Sequence, residues 1–345
     1  MRTINMSFDA SKLVCVSIID EIGQKYPNRV ERVPYFVNAR VEVVQVRDVL
    51  FIPDLKIQIV DGFKVPLEAI FDDWNLSFEQ SRNFSGAGNK LSGELSPDFI
   101  NEDVCILSNF YSRSFGHWTE ELIKVMILER YGFSGKYVIN KLPEVALDSL
   151  NLIGVKRNRV ITEVSSPSIF RSAFFTTAID RERALLYPEV FMEFRRLLFD
   201  AISYEQHTQV YKRLWLERGA RSFNKGGDLV NEDEVYSCIE RYGFKVVDMG
   251  ILSLRQQISM MYNADVLSGP HGSAFVHAQF MRERSTVIEC FSPMFINPSN
   301  IEICRLLKHK YFMVISENTP YVPYPYEKNI YINLSLLELI LQNID

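Results

Sequence analysis

Between about residues 205 and 316, short apolar runs of strand length alternate with segments of helical period. This alternation constrains the fold more than any other feature of the chain. QVYKRLWLE (209–217) reads as a strand, and NEDEVYSCIERYGF (231–244) as a helix with Val235, Cys238 and Ile239 on one face. Asn231 is the expected N-cap, and Asp233 and Glu234 occupy the first turn, where the helix dipole favours acids. KVVDMG (245–250), DVLSGP (265–270), STVIECF (285–291) and YFMVIS (311–316) read as further strands. SLRQQISMMYNA (253–264) and NPSNIEICRLLKHK (297–310) read as the intervening helices. Repeated β-α-β implies a parallel, doubly wound sheet.

The same grammar recurs earlier, with VCILSNF as strand, HWTEELIKVMILERYGF as helix and KYVIN as strand. PEVALDSLNLIG and YPEVFMEFRRLLFDAI read as helices. Residues 1–100 mix short strands, aromatics and a polar loop (81–97) that has no clear place. The aromatic, proline-rich stretch after residue 317 leads to LSLLELILQNI, a helix apolar nearly all round, expected to close the seam between domains. At 345 residues the chain suits two domains. The expected division is 1–200 (1–100 irregular α+β, 101–200 Rossmann-like), 201–318 (a C-terminal Rossmann-like domain) and a closing tail over 319–345.

A formal net charge of -5 argues against a dedicated nucleic-acid binder, which needs a basic surface for phosphates. Five scattered cysteines without a CxxC pair read as buried thiols of a reducing compartment and give no support for a zinc site. The apolar stretch near the N-terminus ends at Asp20 and Glu21, too early for a membrane span, so a cytoplasmic location is the expectation.

Three segments, and one further acidic residue on a strand, could carry chemistry. In SGPHGSAFVHAQF the chain leaves the carboxyl end of a strand, where doubly wound sheets bind ligands. Gly269 and Gly272 would let the backbone approach a ligand. The N–H groups of a helix starting near Gly272, Ser273 and Ala274 would attract an anion, and His271 would point into the same crevice. The plain alternative is a tight turn whose histidine satisfies local backbone groups. The stretch is neither a GxGxxG fingerprint nor a P-loop.

In SRSFGHWTEEL, His117 and Glu121 stand four apart and share a helical face. Such a pair suits general-base work, with a metal pair and a solvated Glu121 beside a packed His117 as the alternatives. In LWLERGARSFNKGGDLVNEDE, Arg218, Arg221 and Lys225 cluster in a Gly-containing loop that could hold a diphosphate. Glu289 interrupts an apolar strand near its carboxyl end, and a ribose diol is a sensible partner for it.

Taken in order, FGHWTEE, a strand followed by Arg and then NEDE, LRQQISMMYNADVLSGPHGSAFVHAQF and VIECFSP resemble glycosyltransferase family 61 over about residues 105–293. The resemblance implies a GT-B type α/β fold, with two Rossmann-like domains facing a central cleft. It implies inverting transfer from a nucleotide-activated sugar, commonly UDP-linked, with no cofactor and no obligatory metal. On that reading His117 and Glu121 are catalytic. Arg218, Arg221, Lys225, His271, Gly272, Ser273, Ala274 and Glu289 bind the donor. Departures include Ser273 where alanine is usual, His277 where asparagine is frequent, and LIK after Glu121 where Leu-Pro-Arg is usual.

The expected partners are a nucleotide-sugar donor and a glycan or lipid-linked glycan acceptor of surface polysaccharide synthesis; the lipid-linked case would imply peripheral contact with the inner membrane face. The alternatives are a GT-B-like transferase with a pyruvyl or phosphate-linked donor, and a non-catalytic glycan-binding relative. A Ser268 or Ser273 hydrolase lacks the GxSxG elbow.

Overall fold

The computed structural model describes residues 43–53, 57–60, 63–65, 96–107, 115–142, 144–176, 187–202, 210–217, 229–297, 299–315 and 329–344. They fall into two compact units, the first with the described residues of 43–176 and 189–201, the second with 187–188 and the described residues from 202 onward.

The first unit is built on a seven-stranded mixed sheet. Its strands are β1 (Val43–Ile52), β2 (Ile57–Val60), β3 (Phe63–Val65), β4 (Asp98–Ile106), β5 (Lys136–Val138), β6 (Val160–Ile161) and β7 (Ser168–Thr176), in the order β3-β2-β1-β7-β4-β5-β6. β4 runs parallel to both β5 and β7, and β5 parallel to β6. β1 is antiparallel to β2 and β7. The expected strand at 104–110 begins earlier, at Asp98, and β7 has no counterpart among the sequence expectations. Its neighbours explain its position: Phe170, Ala173 and Phe175 join Val49, Phe51, Val104, Ile106 and Val138 in one buried cluster. The helices are α1 (Phe115–Tyr131), α2 (Glu144–Leu152) and α3 (Pro188–Ala201). α1 buries Leu122, Ile123, Val125, Met126 and Leu128, so its 17 residues are apolar on most sides. No helix among the described residues is long and apolar enough to cross a membrane.

The second unit carries the expected parallel sheet. β8 (Arg213–Leu216), β9 (Lys245–Val247), β10 (Val266–Pro270), β11 (Thr286–Phe291) and β12 (Lys310–Ile315) pair in the order β12-β11-β10-β8-β9, all parallel. This is the doubly wound 2-1-3-4-5 order, whose direction of winding reverses between β8 and β10. Those two strands approach closely at Gly269. Its φ is +151°, and a Cβ there would lie 2.7 Å from the Leu216 carbonyl oxygen. The glycine expected to admit a ligand therefore admits a neighbouring strand.

The helices of this unit are α4 (Glu232–Arg241), α5 (Leu254–Asn263), α6 (Ile301–Leu306) and α7 (Leu334–Leu341). α5 opens with a capping box. Ser253 Oγ accepts from Gln256 N at 3.3 Å, and Gln256 Oε1 accepts from Ser253 N at 2.9 Å. Asn231 sits at the N-cap position of α4 as expected, yet its side chain makes no cap. It clamps Ile332 instead, donating to the carbonyl at 2.9 Å and accepting from the N–H at 3.0 Å. That clamp brings in α7, whose Leu337 and Leu341 are buried with Trp215, Val235 and Ile239. The apolar C-terminal helix is thus a layer of the second unit's own core.

Two further expectations are corrected. The helix foreseen after Gly272 is a 3-10 segment, Ser273–Phe280, and the helix foreseen over 297–310 shortens to α6. In the first, every side chain from Phe275 to Phe280 is buried. The second is stopped by Lys308, at φ +57°, and by the His309 N–H donating to the Cys304 carbonyl at 2.7 Å.

Candidate functional site

In the second unit, β10 and β11 are paired so that Gly269 stands opposite Glu289. Two residues beyond Gly269 the chain leaves the sheet, and the His271 N–H donates to the Cys290 carbonyl at 2.7 Å. His271 turns back over β11, where Nδ1 lies 2.6 Å from Glu289 Oε1. A carboxylate can only accept, so Nδ1 is the nitrogen that carries the proton in this contact. The ring also stacks on Phe291 at 4.6 Å between centroids, and tilts against Phe295 at 5.7 Å.

Glu289 itself is wholly buried. Asn300 Nδ2 donates to its Oε1 at 2.9 Å, and Tyr311 OH donates to its Oε2 at 2.6 Å. Tyr311 reaches it because β11 and β12 pair Val287 with Tyr311, which puts the phenol on the same face two residues from Glu289. Burial, then the charge of Glu289, pushes the Tyr311 phenol well above its ordinary range, so it remains a donor. Burial with the same neighbouring charge raises the Cys290 and Cys304 thiols, which are unreactive for that reason. The sequence expectation had Glu289 facing a ribose. The structure gives both its oxygens to protein side chains, Oε1 to His271 and Asn300 and Oε2 to Tyr311.

Around the turn, His271, Gly272 and Ala274 are partly exposed and Ser273 is exposed. Gly272 is extended, and a Cβ there would meet nothing nearer than the Pro270 carbonyl at 4.0 Å. Beneath the turn lies His277, fully buried. Its Nδ1 is 2.8 Å from the Ala274 carbonyl and its Nε2 is 2.7 Å from Gln257 Oε1. Gln257 spends its amide hydrogens on the Met249 and Leu252 carbonyls, both at 2.9 Å. Two oxygens therefore face the ring, which favours a proton on each nitrogen, while burial opposes the resulting charge. Burial prevails and lowers the imidazole to about 4.

The first unit holds the other expected pair. His117 lies in the first turn of α1, and its side chain is outside the described residues, as are Arg218, Arg221 and Lys225. Glu121, one turn on, is buried, with Lys124 Nζ donating to its Oε1 at 3.1 Å. The alternative of a solvated Glu121 is thereby overturned. Trp118 is structural: its indole N–H donates to Ser149 Oγ at 2.6 Å, and Ser149 donates in turn to the Ala146 carbonyl, fastening α1 to α2. Among the described residues no three His, Cys, Asp or Glu side chains converge as metal ligands would.

Asn300, Tyr311 and Phe291 are the site residues that the sequence expectations omit. The available signal was the alternation of YFMVIS, which puts Tyr311 and Met313 on the face shared with Glu289.

No curated protein matches the chain. The protein-family model described as Glycosyltransferase 61 matches residues 115–288, from the start of α1 into β11, which is half of the chain. On that match the chain belongs to glycosyltransferase family 61.

Proposed function

We propose that this glycosyltransferase is an inverting enzyme of GT-B type that takes its sugar from a nucleoside-diphosphate donor, UDP-linked in the first instance. The observation that carries the reading is the braced histidine. His271 stands at the carboxyl end of β10, beside the reversal point of a doubly wound sheet, with a buried carboxylate behind its ring.

In the reaction the acceptor hydroxyl gives up its proton and attacks the anomeric carbon, and the bond to the β-phosphate oxygen breaks with its electrons going to the nucleoside diphosphate. The growing charge on that leaving group must be met by fixed donors. His271 and the backbone N–H groups around Gly272, Ser273 and Ala274 take that role, with Arg218, Arg221 and Lys225 as cations on the loop that follows β8. His117 is assigned as the base, with Glu121 orienting it. This reading asks for no metal. The acceptor is assigned as a glycan or lipid-linked glycan of surface polysaccharide synthesis at the cytoplasmic face of a membrane.

The test is a screen of nucleotide sugars for slow hydrolysis without acceptor. Release of free sugar and nucleoside diphosphate from at least one donor is expected, with a matching rise in melting temperature. Glycan binding without release from any of them would favour a non-catalytic relative, and stabilisation by phosphoenolpyruvate alone would favour a pyruvyl donor. With the donor in hand, His117→Ala should abolish transfer and leave UDP affinity within about twofold. Retained turnover would remove His117 from the mechanism.

A further inference from the structure

We propose that Asn300 and Tyr311 are positioning residues for the donor site. They lock the Glu289 carboxylate in the orientation that holds His271 by its Nδ1–H, so that Nε2 is the nitrogen that meets the donor and, when it carries the ring's second proton, gives a hydrogen bond to the diphosphate. This rests on the donor reading above for the identity of the ligand, and on the geometry alone for the positioning. Both residues lie beyond the span that the family model matches.

The argument starts from cost. A fully buried carboxylate is expensive, and well-packed apolar side chains in its place would usually be no less stable. Glu289 is nonetheless present with three side-chain donors converging on its two oxygens, at 2.6, 2.9 and 2.6 Å. One of the three is the histidine of the turn; the other two come from different elements, Asn300 at the entry to α6 and Tyr311 on β12.

Each donor constrains a different motion. Asn300 shares Oε1 with His271, so it fixes the oxygen that the imidazole uses. Tyr311 holds Oε2, so the carboxylate cannot rotate its plane away from the ring. Stacking on Phe291 sets the plane of the imidazole, and the Glu289 bond sets its rotation within that plane. A carboxylate that orients a histidine through its Nδ1–H fixes the direction of the other nitrogen. The arrangement is built before any donor arrives, which is what preorganised stabilisation of a leaving group requires.

The experiment uses the full-length protein with 15N-labelled histidine, and Tyr311→Phe and Asn300→Leu variants made in the wild-type and His271→Gln backgrounds. His271→Gln identifies the His271 resonances among the five histidines. In the wild type, the Nδ1–H proton of His271 should appear far downfield, as expected for a short bond to a carboxylate. Tyr311→Phe should move it upfield or broaden it away, with melting temperature as a check on folding. Affinity for UDP, GDP and dTDP is then measured by calorimetry. Tyr311→Phe should weaken the nucleotide that the wild type binds by about tenfold, and should have no further effect in the His271→Gln background.

An unchanged Nδ1–H signal in both variants would overturn the proposal. So would an equal loss of nucleotide affinity with and without His271, which would mark a general structural effect. Should Tyr311→Phe fail to fold, Asn300→Leu carries the same two readouts. A wild type that binds none of the three nucleotides, but whose Nδ1–H signal still responds, would sink the donor reading and leave the positioning of His271 standing.

Discussion

Glu121 in the first unit and Glu289 in the second are both buried carboxylates, and the chain accommodates them in opposite ways. Glu121 is paired with a cation from the next turn of its own helix, Lys124, three residues away. Glu289 is held by side chains 11, 18 and 22 residues away, from the entry to α6, from the turn after β10 and from β12. A third case, Glu302 in α6, is buried with its Oε2 lacking any hydrogen-bond partner. Burial accordingly raises its carboxyl to about 7. The comparison teaches that a buried carboxylate can take a charge partner from the next turn of its own helix, whereas orienting a second group with it takes donors from several elements.

The comparison can be tested by taking each arrangement apart. The largest effect is expected from Glu289→Ala, which strands three polar side chains at once. Urea unfolding should show a loss of about 3–5 kcal/mol, together with loss of donor binding. A loss under about 1 kcal/mol would mean that the carboxylate is not the hub that its contacts suggest.

The next effect is a pH dependence, because Glu302 and His277 act with opposite signs. The native state keeps the Glu302 proton up to about 7, while the unfolded chain releases it near the ordinary carboxylate value. Its contribution is thus present below about pH 4.5 and lost as pH rises to about 7. His277 is lowered to about 4, so the unfolded chain takes up that proton first as pH falls below about 6.5. Its contribution is present above about pH 6.5 and lost as pH falls towards 4. Each is worth about 3 kcal/mol, so between pH 4.5 and 6.5 the two slopes should nearly cancel in the wild type. Glu302→Gln should expose the His277 slope, with stability rising with pH across that interval when followed by chemical denaturation. A flat profile in Glu302→Gln would show that His277 is not held as described.

The smallest effect belongs to the local pair. Lys124→Met removes the charged hydrogen bond from Lys124 to Glu121 and should cost about 2 kcal/mol in the same unfolding experiment. The double variant Glu121→Gln with Lys124→Met should recover most of that loss, since two neutral groups bear little desolvation penalty. Failure to recover would show that Glu121 is held by more than its charge pair.

Much of the second unit was legible because its rules are short-ranged. Strand periods placed β8, β9, β10, β11 and β12, and helical period placed α4 and α5. The misreadings came where a residue's use depends on what the fold brings to it. Asn231 has the chemistry of an N-cap and the right place for one, yet the backbone of Ile332, about a hundred residues on, claims both ends of its amide. Gly269 has the backbone freedom that ligand access requires, yet the Leu216 backbone claims that space. In the first unit β7 escaped notice because it is paired on one side with β1 and on the other with β4, far from both in sequence.

The sequence by itself determined the parallel α/β architecture of the second unit, the family, and the turn at His271 as a place where a ligand could be met. Those depend on periodicity, on turn chemistry and on ordered motifs, all of which are written along the chain. Only the tertiary structure decided that Glu289 faces His271, that Asn300 and Tyr311 complete its shell, and that Glu121 is buried against Lys124. The Glu289 shell depends on strand register and on which side chains are excluded from water together, quantities fixed when distant segments pack, and no spacing within any one segment encodes them.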